Sequence, residues 1–328
     1  MKKVLKIFGI LLGIVVVLIV AGVAFVMFSF PNAEPAPDLT IEASPELIAH
    51  GEYLTNNVSL CFVCHSEINR DLFAEPIVSG TEGQGRDFFG NNSNFPGRLF
   101  ARNITPAGIG EWSDGEVFRA ITAGIAKDGE PLFPIMPYTS YRHMSSDDVK
   151  AIIAYLRTLP AKEGESRKSE LNFPLNLVAR MIPKPYEEQT KPAASDSIAY
   201  GKYLTRIAAC HSCHTQHDSQ GNPVPGNEFA GGEPFPEKAG IIRSANITPD
   251  PETGIGNWSK DYFIERFKTY QKPEMQEIPM REGLNPTVMP WYAFSGMTED
   301  DLGAIYDYLR TVPAVSKRIE KFTPADEK

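Results

Sequence analysis

Cys210-His211-Ser212-Cys213-His214 and its upstream counterpart Cys61-Phe62-Val63-Cys64-His65 contain all four cysteines of this 328-residue chain. Two thiols three positions apart, with an imidazole directly after them, are the pattern that covalent attachment of c-type haem requires. Each thiol can form a thioether with one haem vinyl group, and the histidine can bind the iron as its proximal ligand. We therefore predict two covalently bound haem c groups, attached at Cys61, Cys64, Cys210 and Cys213 and ligated by His65 and His214.

Two other uses of paired cysteines fit the sequence less well. A zinc site built from both pairs would need them close together in the chain, whereas 149 positions separate Cys61 from Cys210. A thioredoxin-like redox pair would need a surrounding βαβ pattern, and we find none. Haem attachment is therefore the preferred interpretation.

The N-terminus carries a long apolar segment. Three lysines within the first six residues precede an uncharged run from Ile7 to Phe30, which is long enough to cross a bilayer as a helix. A cleaved secretory signal would have an apolar region of only about 7–15 residues and a small-x-small cleavage site. We therefore expect residues 1–30 to be an uncleaved anchor in a bacterial inner membrane. The positive-inside rule then places the rest of the chain in the periplasm, where c-type haem is attached.

The charge balance restricts the possible partners. After the three lysines of the anchor, 29 basic residues stand against 41 acidic ones, which leaves this part of the chain at −12. Nucleic acid is therefore not expected as a partner, whereas redox proteins can be steered to the surface electrostatically.

An internal duplication organises the chain after the anchor. Asn103-Ile104-Thr105-Pro106 is repeated as Asn246-Ile247-Thr248-Pro249, and Tyr155-Leu156-Arg157-Thr158 as Tyr308-Leu309-Arg310-Thr311. Helical patterns dominate both copies, so the predicted fold class is all-α. The predicted divisions are a transmembrane anchor (1–30), an extended Pro-rich spacer (31–43), domain 1 (44–160), a connector (161–196), domain 2 (197–313) and a charged tail (314–328).

Two details of packing can be predicted from the copies. The first and last helices of each domain should cross where Gly51 meets Tyr155 and where Gly201 meets Tyr308, because only glycine lets a ring lie so close to a backbone. The apolar middle of the connector, 171–183, should cover one or both domains.

A haem that transfers electrons usually needs a second axial ligand, most often Met or His. Two methionine pairs occupy matching places, Met136 with Met289 and Met144 with Met297. Met144 and Met297 each precede a Ser or Thr that begins a helix, where an apolar residue packs on the first turn as a hydrophobic staple. Met136 and Met289 lie in loops, each before a proline that stiffens the backbone. The soft thioethers of Met136 and Met289 are therefore the preferred ligands. The weaker candidates are His50, His143, Met275 and Met280.

Together these paired motifs resemble the cytochrome c subunits of bacterial membrane-bound alcohol, aldehyde and gluconate dehydrogenases. The resemblance covers nearly all of Ser44 to Pro313 and includes the Phe-Pro-Leu-Asn stretch that begins at Phe173. It implies tandem cytochrome c domains, with His65 and His214 as proximal ligands and Met136 and Met289 as distal ones. It also implies a subunit that accepts electrons from a catalytic partner and passes them towards quinone or a terminal oxidase. Members of that family commonly have three haem domains, so a free-standing carrier also remains open.

The predicted function is that of a membrane-anchored dihaem cytochrome that relays electrons between a periplasmic or membrane dehydrogenase and the respiratory chain. Such a protein is not itself an enzyme. A dihaem enzyme, either peroxidase-like or thiosulfate-oxidising, is the alternative from another class, and it would want one haem that is open, His/His-ligated or Cys-ligated. A haem-bearing structural subunit of a respiratory complex is the third interpretation.

Overall fold

The computed structural model describes residues 1–32, 34–90, 95–280 and 284–325. Most of the ordered secondary structure is helical. The helices are α1 (Lys2–Ser29), α2 (Pro45–Tyr53), α3 (Cys61–His65), α4 (Pro106–Ile109), α5 (Asp114–Ala123), α6 (Tyr138–Tyr141), α7 (Ser146–Thr158), α8 (Leu175–Met181), α9 (Ser197–Ile207), α10 (Cys210–His214), α11 (Lys260–Lys268), α12 (Pro273–Gln276), α13 (Trp291–Ser295) and α14 (Glu299–Leu309). A π-helical turn, Leu54–Val58, follows α2, and a 3-10 turn, Thr269–Gln271, follows α11.

The expected all-α class is correct only in its main feature, because the described residues also contain short strands. The strands are β1 (Arg86–Asp87), β2 (Gly97–Arg98), β3 (Phe100–Ala101), β4 (Glu170–Leu171), β5 (Pro234–Glu237), β6 (Gly240–Arg243) and β7 (Phe322–Pro324). They form three small antiparallel sheets, β1–β3, β2–β4 and β5–β6–β7. Long loops follow each cysteine motif, and these ladders give their backbone groups hydrogen-bond partners.

Helix α1 differs from every other helix in its surroundings. It is apolar along its length, and none of its residues is buried against the rest of the chain. Among the described residues it is the single helix long and apolar enough to cross a membrane. Its length is compatible with a bilayer span.

Several helices begin where side chains cap them. Ser44 accepts a hydrogen bond from the Leu47 N–H, and Pro45 takes the first helical position of α2. Ser113 and Glu116 form a complete capping box at α5, as their spacing predicts. At α7 and α14 the Ser145 and Thr298 side chains accept hydrogen bonds from the N–H groups of Asp148 and Asp301. The local sequence thus determines where these helices start.

The first and last helices of each repeat cross at a glycine. A Cβ built on Gly51 of α2 would lie 1.9 Å from the Ala151 carbonyl oxygen and 2.9 Å from Tyr155 Cβ. At Gly201 of α9 the same distances, to Ala304 and Tyr308, are 1.9 and 3.0 Å. The predicted crossings of Gly51 with Tyr155 and of Gly201 with Tyr308 are confirmed.

The connector packs mainly on the first repeat. Its strand β4 pairs with β2, with Gly97 opposite Leu171. After α8, the Tyr186 hydroxyl donates to the Met144 carbonyl oxygen (2.8 Å), and the Tyr186 ring meets Phe118 edge to face. Arg180 of α8 donates to the Phe30 carbonyl oxygen at 3.2 Å, which places α8 beside the end of α1.

The two repeats meet at the N-termini of α7 and α14. The carboxyl of Asp148 is only 2% exposed there. Its Oδ1 lies 2.7 Å from His50 Nε2 and 3.0 Å from Lys191 Nζ, and its Oδ2 accepts a hydrogen bond from Tyr203 of the second repeat. Burial by itself would raise the pKa of Asp148, but the bonds from His50 and Tyr203 and the charge of Lys191 outweigh it. The pKa of Asp148 is therefore lower than its ordinary value.

Replacing Gly51 with alanine should force α2 and α7 apart. We expect Gly51→Ala to lower the free energy of unfolding by about 3 kcal/mol, because the methyl group has no room against the Ala151 carbonyl. The matched control is Gly303→Ala in α14, where the nearest heavy atom would be 3.5 Å away. That control should be neutral or stabilising by up to about 1 kcal/mol. Urea denaturation in detergent measures both, and equal stability of the two variants would contradict the crossing.

The Asp148 contact should depend on pH in a defined direction. A carboxyl whose pKa is lower in the folded than in the unfolded chain stabilises the fold above the unfolded value of about 4, and this stabilisation is lost as the pH falls further. We expect Asp148→Asn to cost about 1–3 kcal/mol at pH 7 and progressively less below pH 4. The exposed neighbour Asp147 serves as control, and Asp147→Asn should change little. If urea denaturation shows that Asp148→Asn loses the same stability at every pH, the charge of Asp148 is not the cause.

Candidate haem sites

The two cysteine motifs have the same backbone geometry. Each forms one short helix, α3 or α10, and each follows a residue in the left-handed region, Leu60 or Ala209, both with φ 55°. A non-glycine residue in that region costs about 1–2 kcal/mol, so its occurrence at both places marks a shared constraint. Within each helix the two thiols, three positions apart, lie on one face. No disulfide joins any of these four cysteines.

The histidine of each motif is held in a tautomer suited to metal binding. His65 Nδ1 lies 2.6 Å from the Arg102 carbonyl oxygen, and His214 Nδ1 lies 2.8 Å from the Ala245 carbonyl oxygen. A carbonyl can only accept, so Nδ1 carries the proton and Nε2 keeps its lone pair for a metal. Burial lowers the pKa of both histidines, which favours the neutral ring.

The repeated Asn-Ile-Thr-Pro motif explains why these carbonyls stand in place. Asn103 Oδ1 accepts hydrogen bonds from the Thr105 N–H (2.9 Å) and hydroxyl (2.7 Å), which closes the loop directly after Arg102. Asn246 and Thr248 form the same two bonds after Ala245. Each asparagine therefore fixes the loop that orients a motif histidine.

The same asparagines also form hydrogen bonds with the chain beyond the predicted domain ends. Asn103 Nδ2 donates to the Lys162 carbonyl oxygen at 2.6 Å, and Asn246 Nδ2 to the Val315 carbonyl oxygen at 2.8 Å. Lys162 and Val315 are 153 positions apart, the same spacing as Tyr155 and Tyr308 in the last helices. The repeated structure thus continues past 160 and 313, although the sequence similarity does not reveal it.

A cavity of about 430 Å³ in the first repeat contains three of the predicted site residues. Cys64, His65 and Met136 line it together. Its volume is in the range of pockets that hold cofactors. The other walls are mainly apolar and include Leu99, Phe100, Ile104, Ile109, Trp112 and Leu132. A flat apolar macrocycle attached at Cys64 fits this donor set, with an imidazole and a thioether on the same cavity.

The two methionine pairs differ in burial, as the capping argument predicts. Met144 and Met297 are 0% and 1% exposed and belong to the packed core. Met136 and Met289 are only partly buried. Both hold the same turn, since the Tyr138 N–H donates to the Met136 carbonyl oxygen (2.7 Å) and the Trp291 N–H to that of Met289 (2.8 Å). The loop around Met289 thus has the same turn as the loop around Met136, which lines the cavity.

A buried positive charge stands beside the first motif. Arg86 is 6% exposed. Its Nε donates to the Cys64 carbonyl oxygen (3.2 Å) and its Nη2 to that of Val63 (3.3 Å). Within the described residues, no carboxylate forms an ion pair with it. Burial lowers the pKa of Arg86. A buried cation without an anion is costly, so the carboxylates of a haem are chemically suited to this place.

In the second repeat a lysine from the tail supplies the cation. Gly85 and Gly231 are equivalent, because their N–H groups donate to the carbonyl oxygens of His65 and His214. The residue after Gly231 is Gly232 rather than arginine, and a Cβ built on it would lie 2.9 Å from Lys317 Nζ. Both motifs therefore have a nearby positive charge, from different parts of the sequence.

The two motifs also lie close to one another. Burial, together with the charges of Glu233 and Cys64, raises the pKa of Cys213 to about 11. Ser140 Oγ, in the helix after Met136, is 3.4 Å from Ser212 Oγ inside the second motif. Helix α6 of the first repeat thus touches α10 of the second.

The alternative ligands occupy other places. His50 is hydrogen-bonded to Asp148 at the contact between repeats, and His143 is not among the residues that line the cavity. Across the described parts of the chain, no three His, Cys, Asp or Glu side chains group as a metal cluster. The arrangement therefore offers the zinc interpretation no support.

Comparison with known proteins gives relatives of one kind. The chain is 29% identical to the fructose dehydrogenase cytochrome subunit of Gluconobacter japonicus, over 86% of this chain and 56% of that protein. It is 27% identical to the gluconate 2-dehydrogenase cytochrome c subunit of Pantoea cypripedii, over 87% of this chain and 64% of that one. A diheme cytochrome c-type protein of Cereibacter sphaeroides is 28% identical, over 78% and 82%. No family model matches the chain.

These relatives confirm the resemblance to cytochrome c subunits of dehydrogenases. The chain spans between about half and two thirds of the length of the dehydrogenase subunits it matches. Homology to cytochromes c agrees with haem c as the cofactor.

Arg86 should raise the reduction potential of a haem bound at the first motif, because a nearby positive charge disfavours the ferric form. We expect Arg86→Gln to lower that potential by roughly 40 mV, about 1 kcal/mol, and to leave the second haem unchanged. The control is Arg98→Gln, since the Arg98 guanidinium is more exposed and already paired with Asp87. A spectroelectrochemical titration measures both haems, and an unchanged first potential would exclude electrostatic coupling between Arg86 and the cofactor.

Proposed function

We propose, from its homology to cytochrome c subunits, that the chain is a membrane-anchored dihaem c-type cytochrome with two tandem cytochrome c domains. It relays electrons between a dehydrogenase and the respiratory chain. It makes and breaks no substrate bond. The observation that carries the proposal is the cavity lined by Cys64, His65 and Met136, together with the matched backbone geometry of the second motif.

Each predicted residue has a role in this proposal. Cys61, Cys64, Cys210 and Cys213 hold two haem c groups covalently, and the bound haem supplies a reversible ferric/ferrous couple. His65 and His214 are proximal ligands, supported by the Nδ1 bonds that leave Nε2 free. Met136 and Met289 are distal ligands whose thioethers favour the ferrous state. The apolar walls exclude water from the iron.

The proposed partners follow from the relatives and from α1. The relatives are named as subunits of fructose and gluconate dehydrogenases, so a dehydrogenase is the proposed electron donor. A quinone-linked complex or an oxidase is the proposed acceptor. Helix α1 anchors the chain in the bacterial inner membrane with the domains in the periplasm, supported by its apolar length and exposed sides. The acidic charge of the remaining chain favours partners with basic surfaces.

A dihaem peroxidase or thiosulfate-oxidising enzyme has less support. Such enzymes require one haem whose iron has an open coordination position, or has a second histidine or a cysteine as its ligand. Met136 lies on the same cavity as His65, which supports a closed distal side in the first repeat. All four cysteines stand in the attachment motifs, so none is spare as a ligand.

Methionine variants test the ligand assignment directly. Met136→Leu and Met289→Leu should each remove half of the ferric methionine–iron absorption band, because leucine has no donor atom. The matched controls are Met144→Leu and Met297→Leu, which should keep the whole band and lose at most about 1.5 kcal/mol of stability. The mass of the intact chain should correspond to two attached haems. A full band in Met136→Leu or Met289→Leu, or a chain with fewer than two haems, would contradict the proposal.

A further inference from the structure

Two tyrosines cross between the repeats in a reciprocal arrangement. The Tyr53 hydroxyl donates to Asp301 Oδ2 (2.5 Å) and accepts the Thr298 N–H (3.1 Å). The Tyr203 hydroxyl donates to Asp148 Oδ2 (2.5 Å) and accepts the Ser145 N–H (3.0 Å). Tyr53 and Tyr203 occupy the same place in the duplicated sequence. Each repeat therefore presents the same tyrosine to the same position of the other, as in a two-fold symmetric interface.

Each of these hydroxyls completes a helix cap in the opposite repeat. In the capping box of α5, the Glu116 carboxylate reaches back to accept the Ser113 N–H at 2.8 Å. In α7 and α14 the equivalent acid is aspartate, which is one methylene shorter. The tyrosine hydroxyl stands between the cap N–H and the aspartate carboxylate, and it bonds both. Ser145 and Thr298 cap α7 and α14 within their own repeats, whereas the second bond of each cap, to the cap residue's own N–H, forms only when the two repeats are docked.

This docking fixes the approach of one motif to the other. Helix α7 follows the loop of Met136, and the tyrosine that caps it comes from α9, which leads into the motif at Cys210. Ser140 of α6, the short helix between that loop and α7, lies 3.4 Å from Ser212, measured between the two Oγ atoms. A shift at the cap therefore changes the separation of the distal loop and the opposite attachment helix.

Burial strengthens the hydrogen bonds between these tyrosines and the two aspartates. Asp148, Asp301 and Tyr203 are 2%, 7% and 7% exposed. Hydrogen bonds between a hydroxyl and a carboxylate are charge-assisted and about twice as strong as neutral ones. Removing the hydroxyl leaves both an N–H and a carboxylate oxygen short of a partner.

We propose that Tyr53 and Tyr203 are positioning residues of the electron relay, whose hydroxyls lock the two repeats in the orientation that sets the rate of haem-to-haem transfer. The inference rests on the proposed function, because it requires two haems. Electron tunnelling becomes steeply slower with distance, so loosening the caps slows transfer without changing either haem.

The carboxylate of Asp301 provides a matched pair of variants. Tyr53 donates to it from the other repeat, whereas Tyr200 lies beside it in the same repeat and interacts with its charge. Tyr53→Phe and Tyr200→Phe thus remove one hydroxyl each from the same carboxylate, and only Tyr53→Phe breaks a contact between the repeats. Tyr203→Phe repeats the test at Asp148.

The experiment uses the full chain with both haems in detergent. Flash reduction of one haem measures internal transfer, and the magnetic coupling of the ferric haems measures their separation. We expect Tyr53→Phe and Tyr203→Phe to slow transfer about tenfold and to weaken the coupling, with the methionine–iron band intact. Tyr200→Phe should stay within about twofold of the unmodified protein. Unchanged transfer in Tyr53→Phe and Tyr203→Phe, or equal slowing in Tyr200→Phe, would overturn the inference.

A second measurement is independent of the haems. Hydrogen exchange of the Thr298 N–H should become at least about tenfold faster in Tyr53→Phe but not in Tyr200→Phe, because only Tyr53 accepts that N–H. Unchanged exchange of the Thr298 N–H in Tyr53→Phe would refute the role of Tyr53 in the cap of α14. A haem count below two refutes the proposed function instead, so the two failures are distinguishable.

Discussion

The close crossing of the first and last helix in each repeat is the constraint on which the candidate sites depend. Helix α2 leads into the cysteine motif, and α7 follows the loop that carries Met136. Because Gly51 lets the backbone of α7 approach α2, these two segments are held where both line one cavity. The same crossing at Gly201 fixes α9 against α14. A side chain at either glycine would separate the segment with the histidine from the segment with the methionine.

Hydrogen bonds then fix the orientation of the motif histidines within this arrangement of helices. The loop closed by Asn103 holds the carbonyl that orients His65, and the loop closed by Asn246 does the same for His214. These loops are themselves held by Lys162 and Val315, which lie after the last helix of each repeat. The last helix of each repeat thus supports the motif histidine through the chain that follows the helix, and the methionine loop through the chain that precedes it.

Local chemistry in the sequence is sufficient to predict much of this arrangement. The cysteine motifs, the caps at Ser44 and Ser113, the crossing glycines and the division of the methionines all depend on residues within a few positions of each other or on the repeat. The short strands, the cation of Lys317 and the role of Tyr53 depend on contacts between distant segments. Tyr53 is visible as a repeated residue, but its partner Asp301 is 248 positions away. Periodicity cannot identify such a partner.

The duplication has diverged in its charges while its geometry has been kept. At the first motif the nearby cation is Arg86, which is buried and remains charged at any pH a protein meets. At the second it is Lys317, whose pKa is lowered by burial and whose amine is held by Gln216 and the Gly231 carbonyl. The carboxylates at the contact differ as well, since Asp148 has His50 and Lys191 beside it where Asp301 has Tyr200. The two motifs therefore share their backbone geometry but differ in their electrostatic surroundings, and haems bound at both would differ in reduction potential within one repeated fold.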